Sequence, residues 1–176
     1  MDMRSRYDLP HYLAGIGVEI GVDHGVYSDK LLAGSNLQLL YSVDPWEPCQ
    51  MFPTPEDTEA ALSATKDRLQ KYGSRSSILR MLGQQAATLF LPETLDFVYI
   101  DSSHEYLETL EEIVLWWPKL KSNGLLCGHD YCNGPEVKKA VDEFVLIMGL
   151  ELSVTDWDPE SDIVGYKVNS WLIRKP

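Results

Sequence analysis

The chain has 176 residues, of which 27 are acidic and 15 basic, so its formal net charge at pH 7 is −12. A surface this acidic repels phosphate backbones, and we expect no nucleic acid among its partners. Its three cysteines are too few and too scattered for a disulfide framework or a zinc site, and its apolar runs are too short to span a membrane. We therefore expect a cytoplasmic protein, not bound to membranes, with one domain over residues 1–176.

Five short apolar runs, rich in β-branched residues, predict buried strands. In chain order they are Gly17–Val22, Leu39–Asp44, Ser77–Leu82, Leu95–Asp101 and Gly124–Gly128. The segments between them carry helix signals, such as a cap residue followed by proline at Thr54-Pro55. Near-continuous apolar strands that alternate with helices are typical of a parallel sheet covered on both faces.

Two of the helices are predicted from apolar residues that recur at helical spacing. In the first, these residues are Tyr106, Leu107, Leu110, Ile113, Val114 and Trp117. In the second, which opens at residues 133–135, they are Val137, Ala140, Val141, Phe144, Val145 and Met148. We expect each set to form the buried face of its helix.

The last part of the chain predicts two strands, 150–155 and 167–173, joined by an acidic, turn-rich loop instead of a helix. Two strands with such a connection are typical of an antiparallel hairpin. The sequence as a whole therefore predicts an α/β fold. We expect a doubly wound, mostly parallel, seven-stranded Rossmann-like sheet with an antiparallel last strand.

The loop after the first strand carries two glycines with an acidic residue ahead of them. Glu19 lies two residues before Gly21, and three residues separate Gly21 from Gly25. Glycines allow a tight turn and the close approach of a ligand, although a plain strand-to-helix turn also uses them. A dinucleotide site would need Gly-x-Gly-x-x-Gly and no carboxylate beside the pyrophosphate. Glu19 instead favours a cationic amino-acid ligand, which makes an NAD-dependent oxidoreductase the weaker alternative.

Residues after the second and third strands predict the rest of this ligand site. Asp44 suits a carboxylate that accepts hydrogen bonds from two ribose hydroxyls, or equally a turn cap ahead of Pro45. Gly83 and Gln84 stand where a backbone amide and a side-chain amide can face an adenine edge. Together these positions indicate a ligand that contains adenosine.

Two pairs of histidine and aspartate follow neighbouring strands. Asp101 and His104 come after the fourth strand, and His129 and Asp130 come after the fifth. The carboxyl ends of parallel strands meet at one edge of the sheet, so the four side chains are expected together. Such a group can supply a general base or hold a divalent metal, whereas one such pair alone is more typical of a helix cap.

These motifs in combination resemble the class I S-adenosylmethionine-dependent methyltransferases, and among them the small branch of macrocin- and cephalosporin-type O-methyltransferases. The segments that carry the resemblance are Gly17–Gly21, Asp44–Trp46, Leu95–His104, Trp117–Gly124 and Gly128–Tyr131. Each segment is weak alone, but together they cover nearly the whole chain. The resemblance also implies a reversed last strand.

The resemblance assigns roles to residues by position. It implies that Glu19, Gly21 and Gly25 contact the methionine portion of S-adenosylmethionine, that Asp44 contacts the ribose, and that Gly83 and Gln84 contact the adenine. Asp101 also borders the cofactor. In metal-dependent relatives acidic residues after strands four and five hold Mg²⁺, and the matching positions here are Asp101 and Asp130. This chain departs from them in having His129 and Tyr131 on either side of Asp130.

The sequence thus predicts methyl transfer from S-adenosylmethionine to an oxygen, or alternatively a nitrogen, of a small-molecule acceptor, with O-methylation as the leading expectation. Such a displacement is catalysed mainly by holding the two reactants in register. His104 or His129 would act as the base, and Asp101 would orient it or share a metal with Asp130. A domain that binds the cofactor without turnover is an alternative. Assembly into a homo-oligomer is left open.

Overall fold

Seven strands form one mixed sheet in the part of the chain that the computed structural model describes, which is residues 3–132, 135–158 and 168–176. The strands are β1 (Ala14–Ile20), β2 (Asn36–Asp44), β3 (Ser76–Arg80), β4 (Leu95–Ile100), β5 (Leu120–Gly128), β6 (Leu152–Val154) and β7 (Trp171–Arg174). Their order across the sheet is β3-β2-β1-β4-β5-β7-β6. The first five strands are parallel, and β7 lies antiparallel to both β5 and β6. The predicted fold class is therefore confirmed.

The helices between the strands are α1 (Val26–Gly34), α2 (Pro55–Leu69), α3 (Gly83–Ala87), α4 (Tyr106–Trp116) and α5 (Pro135–Met148). The start of α2 is capped as its sequence predicts, because the Thr54 hydroxyl accepts a hydrogen bond from the Asp57 amide. The predicted opening of α5 at residues 133–134 lies outside the described residues. No helix in the described ranges is long and apolar enough to cross a membrane.

Strands β1 and β5 each begin earlier than their apolar runs. The added segments are Ala14–Ile16, where a glycine interrupts two apolar residues, and Leu120–Asn123, which is mostly polar; neither forms a continuous apolar run. Asp96 joins the two segments, because its carboxylate accepts hydrogen bonds from the Ile16 amide at 2.8 Å and from Lys121 Nζ at 2.9 Å.

The buried face of α4 also differs from the prediction. Leu107 and Val114 are 74% and 54% exposed, whereas Thr109, Glu112, Ile113 and Trp116 are buried. The helix therefore packs on a face rotated from its most apolar stripe, and the packing of the fold, not the helix's own apolar pattern, decides that face. In α5 the prediction holds better: Val137, Ala140, Val141 and Phe144 are buried, and Met148 at the end of the helix is exposed.

The apolar core lies on both faces of the sheet. Alternate residues of the central strand β4 show this, because Phe97 and Tyr99 pack into one cluster while Val98 and Ile100 pack into another. All four are at most 4% exposed. Chain order reverses direction across the sheet at β1 and β4, and in doubly wound sheets a ligand site lies beyond the carboxyl ends of the strands at that reversal.

Candidate active site

A cavity of about 810 Å³ lies beyond the carboxyl ends of β1, β2, β4 and β5. Its walls include six of the seven predicted cofactor residues: Glu19, Gly21, Asp44, Gly83, Gln84 and Asp101. The three remaining predicted residues, His104, His129 and Asp130, line the same cavity. The structure thus brings together nine of the ten positions that the sequence predicts for the site. Gly25 is the one predicted position that does not line the cavity.

Glu19 is a buried acid at the end of β1, with only 1% of its surface exposed. The Ser28 hydroxyl donates a hydrogen bond to its carboxyl group, and Ser28 and Ser42 lie hydroxyl to hydroxyl at 3.1 Å. Burial raises the pKa of Glu19 to about 8. Glu19 forms no ion pair with any described residue, so its carboxyl is protonated at neutral pH until a cation approaches.

The glycines of the loop after β1 occupy conformations that other residues rarely adopt. Gly21 has φ +85°, and a Cβ there would lie 2.0 Å from the carbonyl oxygen of Asp101. Gly25 has φ +71° at the start of α1, where a Cβ would come within 2.9 Å of Thr65. Both positions therefore need glycine, the first to let β1 and β4 end side by side and the second to begin the helix.

Asp44 fastens this loop to the end of β2. Its Oδ2 accepts hydrogen bonds from the amides of Val22 at 2.8 Å and Asp23 at 3.1 Å, and its Oδ1 accepts one from the Trp46 amide at 2.7 Å. Asp44 therefore caps a turn, which is one of the two roles that its position in the sequence predicts; the other is a contact with a ribose. The carboxylate nevertheless faces the cavity, so the two roles are compatible.

The two pairs of histidine and aspartate form one network. His104 Nε2 lies 3.0 Å from Asp130 Oδ2, and His129 Nδ1 lies 3.3 Å from the same oxygen. His129 Nδ1 is also 3.7 Å from Asp101 Oδ1. On its other side, His129 Nε2 lies 2.9 Å from Asp158 Oδ2. Parallel topology explains why these strand ends meet, but Asp158 comes from the loop after β6.

The protonation states in this network follow from burial and neighbouring charge. Burial alone would lower the pKa of His129, but the charge of Asp101 and hydrogen bonds to Asp130 and Asp158 raise it to about 9. A hydrogen bond to Asp130 also raises the pKa of His104. Burial would raise the pKa of Asp130, but the two imidazoles hold it well below its usual range. His129 is therefore an imidazolium at neutral pH.

Arg6 is a site residue that the sequence does not reveal. Its Nη1 lies 3.1 Å from Asp101 Oδ2, and its guanidinium stacks over the Tyr27 ring at 4.8 Å. Its backbone amide donates to Asp158 Oδ1 at 2.7 Å, and the Tyr27 hydroxyl donates to its carbonyl at 2.9 Å. The segment before β1 thus closes one side of the cavity. A single arginine in a polar segment gives no sequence signal for this placement.

Asp101, His104 and Asp130 are close enough to share a divalent metal, because each places a ligand atom within 4.8 Å of the others. The surrounding charge does not suit Mg²⁺. One of the three ligands is an imidazole, whereas Mg²⁺ prefers oxygen. Moreover, Arg6 already pairs with Asp101 and the His129 imidazolium already pairs with Asp130. These residues therefore fit a magnesium ion poorly.

These features define a Rossmann-like fold. Its ligand site lies where the strand order reverses between β1 and β4, next to the glycine loop and the histidines and aspartates at the strand ends. Residues 18–131 match the family described as a methyltransferase domain. Because this match covers more than half of the chain, the chain belongs to that family, and it is an S-adenosylmethionine-dependent methyltransferase. The match does not distinguish the macrocin-like branch. No curated protein sequence matches the chain.

Solved structures share the fold at low sequence identity. SMU.1697c from Streptococcus mutans, in complex with S-adenosylhomocysteine, is 15% identical with a TM-score of 0.69, covering 97% of this chain and 95% of that one. An O-methyltransferase from Bacillus cereus, also with S-adenosylhomocysteine, is 13% identical with a TM-score of 0.66, covering 97% and 80%. An rRNA methylase from Streptococcus thermophilus is 15% identical with a TM-score of 0.65, covering 96% and 93%.

Proposed function

We propose that this methyltransferase transfers the methyl group of S-adenosylmethionine to a hydroxyl oxygen of a small molecule. The observation that supports this most directly is the pairing of His104 with Asp130 on the wall of the cavity that also holds Glu19 and Asp44. A hydroxyl is a weak nucleophile until its proton is removed, so a histidine oriented by a carboxylate is the group that such a reaction needs.

The cavity residues suit S-adenosylmethionine. Glu19 is a buried carboxyl that forms no ion pair with any described residue, and the α-ammonium group of an amino acid would supply a cation beside it. Asp44 lies one strand away, where the ribose would follow, and Gly83 and Gln84 lie beyond it at the adenine end. When bound, the cofactor supplies an electrophilic methyl group on its sulfonium. The protein's main contribution is to hold the acceptor oxygen in line with that methyl.

His104 is the better candidate for the base. Its side chain is 60% exposed, and only Nε2 contacts a carboxylate, so a tautomer with the proton on Nε2 leaves Nδ1 free to accept one from the acceptor. His129, by contrast, is 8% exposed and has carboxylates at both ring nitrogens. Since its pKa is about 9, it is already protonated at neutral pH. We therefore assign His129 to positioning, and His104 to proton removal.

Arg6 and the His129 imidazolium supply the positive charge that a metal would otherwise bring to this edge. Arg6 holds Asp101, and His129 holds Asp101, Asp130 and Asp158. With their charges already compensated, the aspartates can act as fixed hydrogen-bond acceptors around the acceptor hydroxyl.

A small molecule suits the site better than RNA. The cavity volume lies within the range of small-molecule sites, and a net charge of −12 opposes a phosphate backbone. One of the similar structures is an rRNA methylase, which makes RNA the contrast to test.

The experiment has two stages. Calorimetric titration with S-adenosylhomocysteine tests the cofactor, and competition with NAD should show no displacement. Methyl-labelled S-adenosylmethionine is then supplied with a panel of phenols, catechols and aliphatic alcohols, and separately with rRNA. Label on a hydroxyl of one panel class supports the proposal. Label on RNA alone would overturn the choice of acceptor, and tight cofactor binding without any transfer would favour the non-catalytic alternative.

A further inference from the structure

Lys30 on α1 lines the cavity, and the reaction described above does not use it. Among the described residues of the cavity wall, Lys30 and Arg6 are the only lysine and arginine, whereas eight carry a carboxyl group, including the buried Glu112 on α4. The protein as a whole has a net charge of −12. A lysine on such a wall therefore creates a place where a negatively charged group of a ligand is favoured.

The charge of Lys30 is not compensated by the described part of the chain. Its ammonium group forms no ion pair with any described residue, and the charged group that most affects its pKa is another cation, Arg6. The adjacent acid, Asp29, is already paired with Lys71, whose Nζ lies 2.8 Å from Asp29 Oδ1. Because Arg6 pairs with Asp101, Lys30 is the cation on this wall whose charge is left for a ligand.

Tyr7 fixes the position of this charge. The Lys30 ammonium lies 3.5 Å from the centre of the Tyr7 ring, which is a cation–π contact, and both residues line the cavity. The Tyr7 ring is in turn nearly perpendicular to that of Tyr27, with 6.4 Å between their centres. A lysine on an open helix face moves freely, but one held over an aromatic ring presents its charge at a defined point. Such preorganisation favours the recognition of an anion.

The geometry of α1 separates Lys30 from the pocket around Glu19. Ser28, whose hydroxyl donates to Glu19, lies two residues before Lys30. Two residues of α-helix turn through about 200°, so the two side chains leave nearly opposite sides of the helix. Lys30 instead shares a side with Val26, one turn earlier, which lines the cavity and is 47% exposed. The anion that meets Lys30 is therefore expected to belong to a molecule other than the amino acid beside Glu19.

We infer that Lys30 recognises a carboxylate of the methyl acceptor, which makes the acceptor a hydroxy acid instead of a neutral alcohol or phenol. This rests on the proposed function, because it assumes that the acceptor hydroxyl lies at His104. Arg6 connects the two places, since its guanidinium contacts Asp101 on one side and the Tyr27 ring on the other. A hydroxy acid can thus extend along this wall, with its hydroxyl at His104 and its carboxylate at Lys30.

The test is calorimetry on protein saturated with S-adenosylhomocysteine, which measures acceptor binding without turnover. The probes are three phenolic acids of increasing length: para-hydroxybenzoate, para-hydroxyphenylacetate and para-hydroxycinnamate. Each is compared with its primary amide, which keeps the shape and removes the charge. We expect at least one acid to bind the wild-type protein at least about fivefold more tightly than its amide. Lys30→Met should abolish this preference, and Lys30→Arg should keep it because the charge is retained.

Lys139→Met is the matched control. Lys139 also lies over a tyrosine ring, with its Nζ 4.0 Å from the centre of Tyr106, but neither residue is part of the described cavity wall. This variant should keep the wild-type preference. The inference is overturned if the wild-type protein prefers no acid, or if the preference survives in Lys30→Met.

The Kd of S-adenosylhomocysteine shows whether Lys30 serves the cofactor instead. In Lys30→Met we expect this Kd to change by less than about threefold. A loss of about tenfold or more would assign Lys30 to the carboxylate of the cofactor and would also overturn the inference. Methyl transfer to the amides without a preference for the acids would leave the proposed function intact and remove this inference alone. If S-adenosylhomocysteine does not bind the wild-type protein, the proposed function fails and the inference fails with it.

Discussion

His129 Nε2 lies 2.9 Å from Oδ2 of Asp158, and the side chain of Asp158 is fully buried. The other oxygen of that carboxylate accepts the backbone amide of Arg6 at 2.7 Å. One buried carboxylate therefore ties the segment before β1 and the loop after β6 to the end of β5. Its charge also helps to keep His129 protonated, which couples the stability of the fold to the state of the site.

The first prediction concerns this coupling. Because folding raises the pKa of His129 from 6.5 to about 9, the imidazolium contributes stability that is fully present below pH 6.5 and is lost as the pH rises through 9. The loss is roughly 3 kcal/mol at most. His129→Gln should remove this part of the decline between pH 6.5 and 9.5, and Asp158→Asn should reduce it, as measured by urea denaturation.

His11→Gln is the matched control for that series, because His11 is exposed and lies away from the cavity. It should keep the wild-type dependence of unfolding free energy on pH. If the unfolding free energy of His129→Gln falls with pH as steeply as that of the wild type, His129 is neutral in the folded state. Its protonation would then no longer argue against His129 as the catalytic base.

The second prediction separates the two histidines kinetically. His104→Ala should lower kcat by about 10²- to 10⁴-fold, the usual contribution of a general base, while the Kd for S-adenosylhomocysteine changes by less than about threefold. The stability of the protein should hardly change, because the His104 side chain is largely exposed. The wild-type rate should rise as the pH passes the raised pKa of His104, because the base is active only in its neutral form. The rate of the variant should not show this rise. An unaltered pH–rate profile would contradict the assignment.

The strand ends were predictable from the sequence because one physical rule places them. Asp44, Asp101 and Asp130 each follow an apolar run, and parallel strands bring their carboxyl ends to a single edge. The rule needs only strand identity and direction. The reversed last strand was also predictable, because the sequence of residues 156–165 carries no helix signal that a crossover to a parallel strand would need.

The remaining site residues depend on tertiary packing that no local pattern encodes. Arg6 and Asp158 belong to polar segments whose docking onto the sheet is decided by contacts with distant residues. Glu112 did leave a signal, because it adjoins Ile113 and lies four residues before Trp116, both buried. That signal was outweighed by the more apolar stripe through Leu107 and Val114, which the structure leaves facing solvent.

The third prediction concerns the proton on Glu19. With a pKa of about 8, its carboxyl is mostly protonated at pH 7, and an ammonium group that binds beside it will favour the ionised form. Binding of S-adenosylhomocysteine at pH 7 should therefore release a proton. Calorimetry in buffers of different ionisation enthalpy measures this release directly. Glu19→Gln should abolish it and weaken binding at least tenfold.

Glu19→Gln should also stabilise the ligand-free protein above neutral pH. The raised pKa of Glu19 means that stability falls as the pH rises from 4.5 through 8, because the unfolded chain loses the proton first. The variant lacks this loss, so at pH 8.5 it should unfold at higher urea concentration than the wild type. A less stable variant with intact binding would place the cofactor's amino group elsewhere.

The fourth prediction is that methyl transfer survives removal of divalent metals. Treatment with EDTA followed by gel filtration should leave kcat within about twofold, and added Mg²⁺ should not raise it, because Arg6 and His129 already compensate the charges of Asp101 and Asp130. Elemental analysis of the untreated protein gives a readout independent of activity. A stoichiometric metal that is lost in Asp130→Asn but retained in Asp142→Asn would reverse this conclusion.

The fifth prediction tests whether Arg6 holds the site together. Arg6→Ala leaves the carboxylate of Asp101 without its 3.1 Å partner in a largely buried place, and should cost about 2–4 kcal/mol of unfolding free energy. Asp101→Asn removes the charge that needs a partner, so the double variant should recover part of that loss. A coupling of at least about 1 kcal/mol is expected from the double-mutant cycle.

Arg4→Ala, a change at an exposed position two residues away, is the control and should leave the unfolding free energy unchanged. Additive effects of Arg6→Ala and Asp101→Asn would show that Arg6 does not stabilise the protein through its ion pair with Asp101.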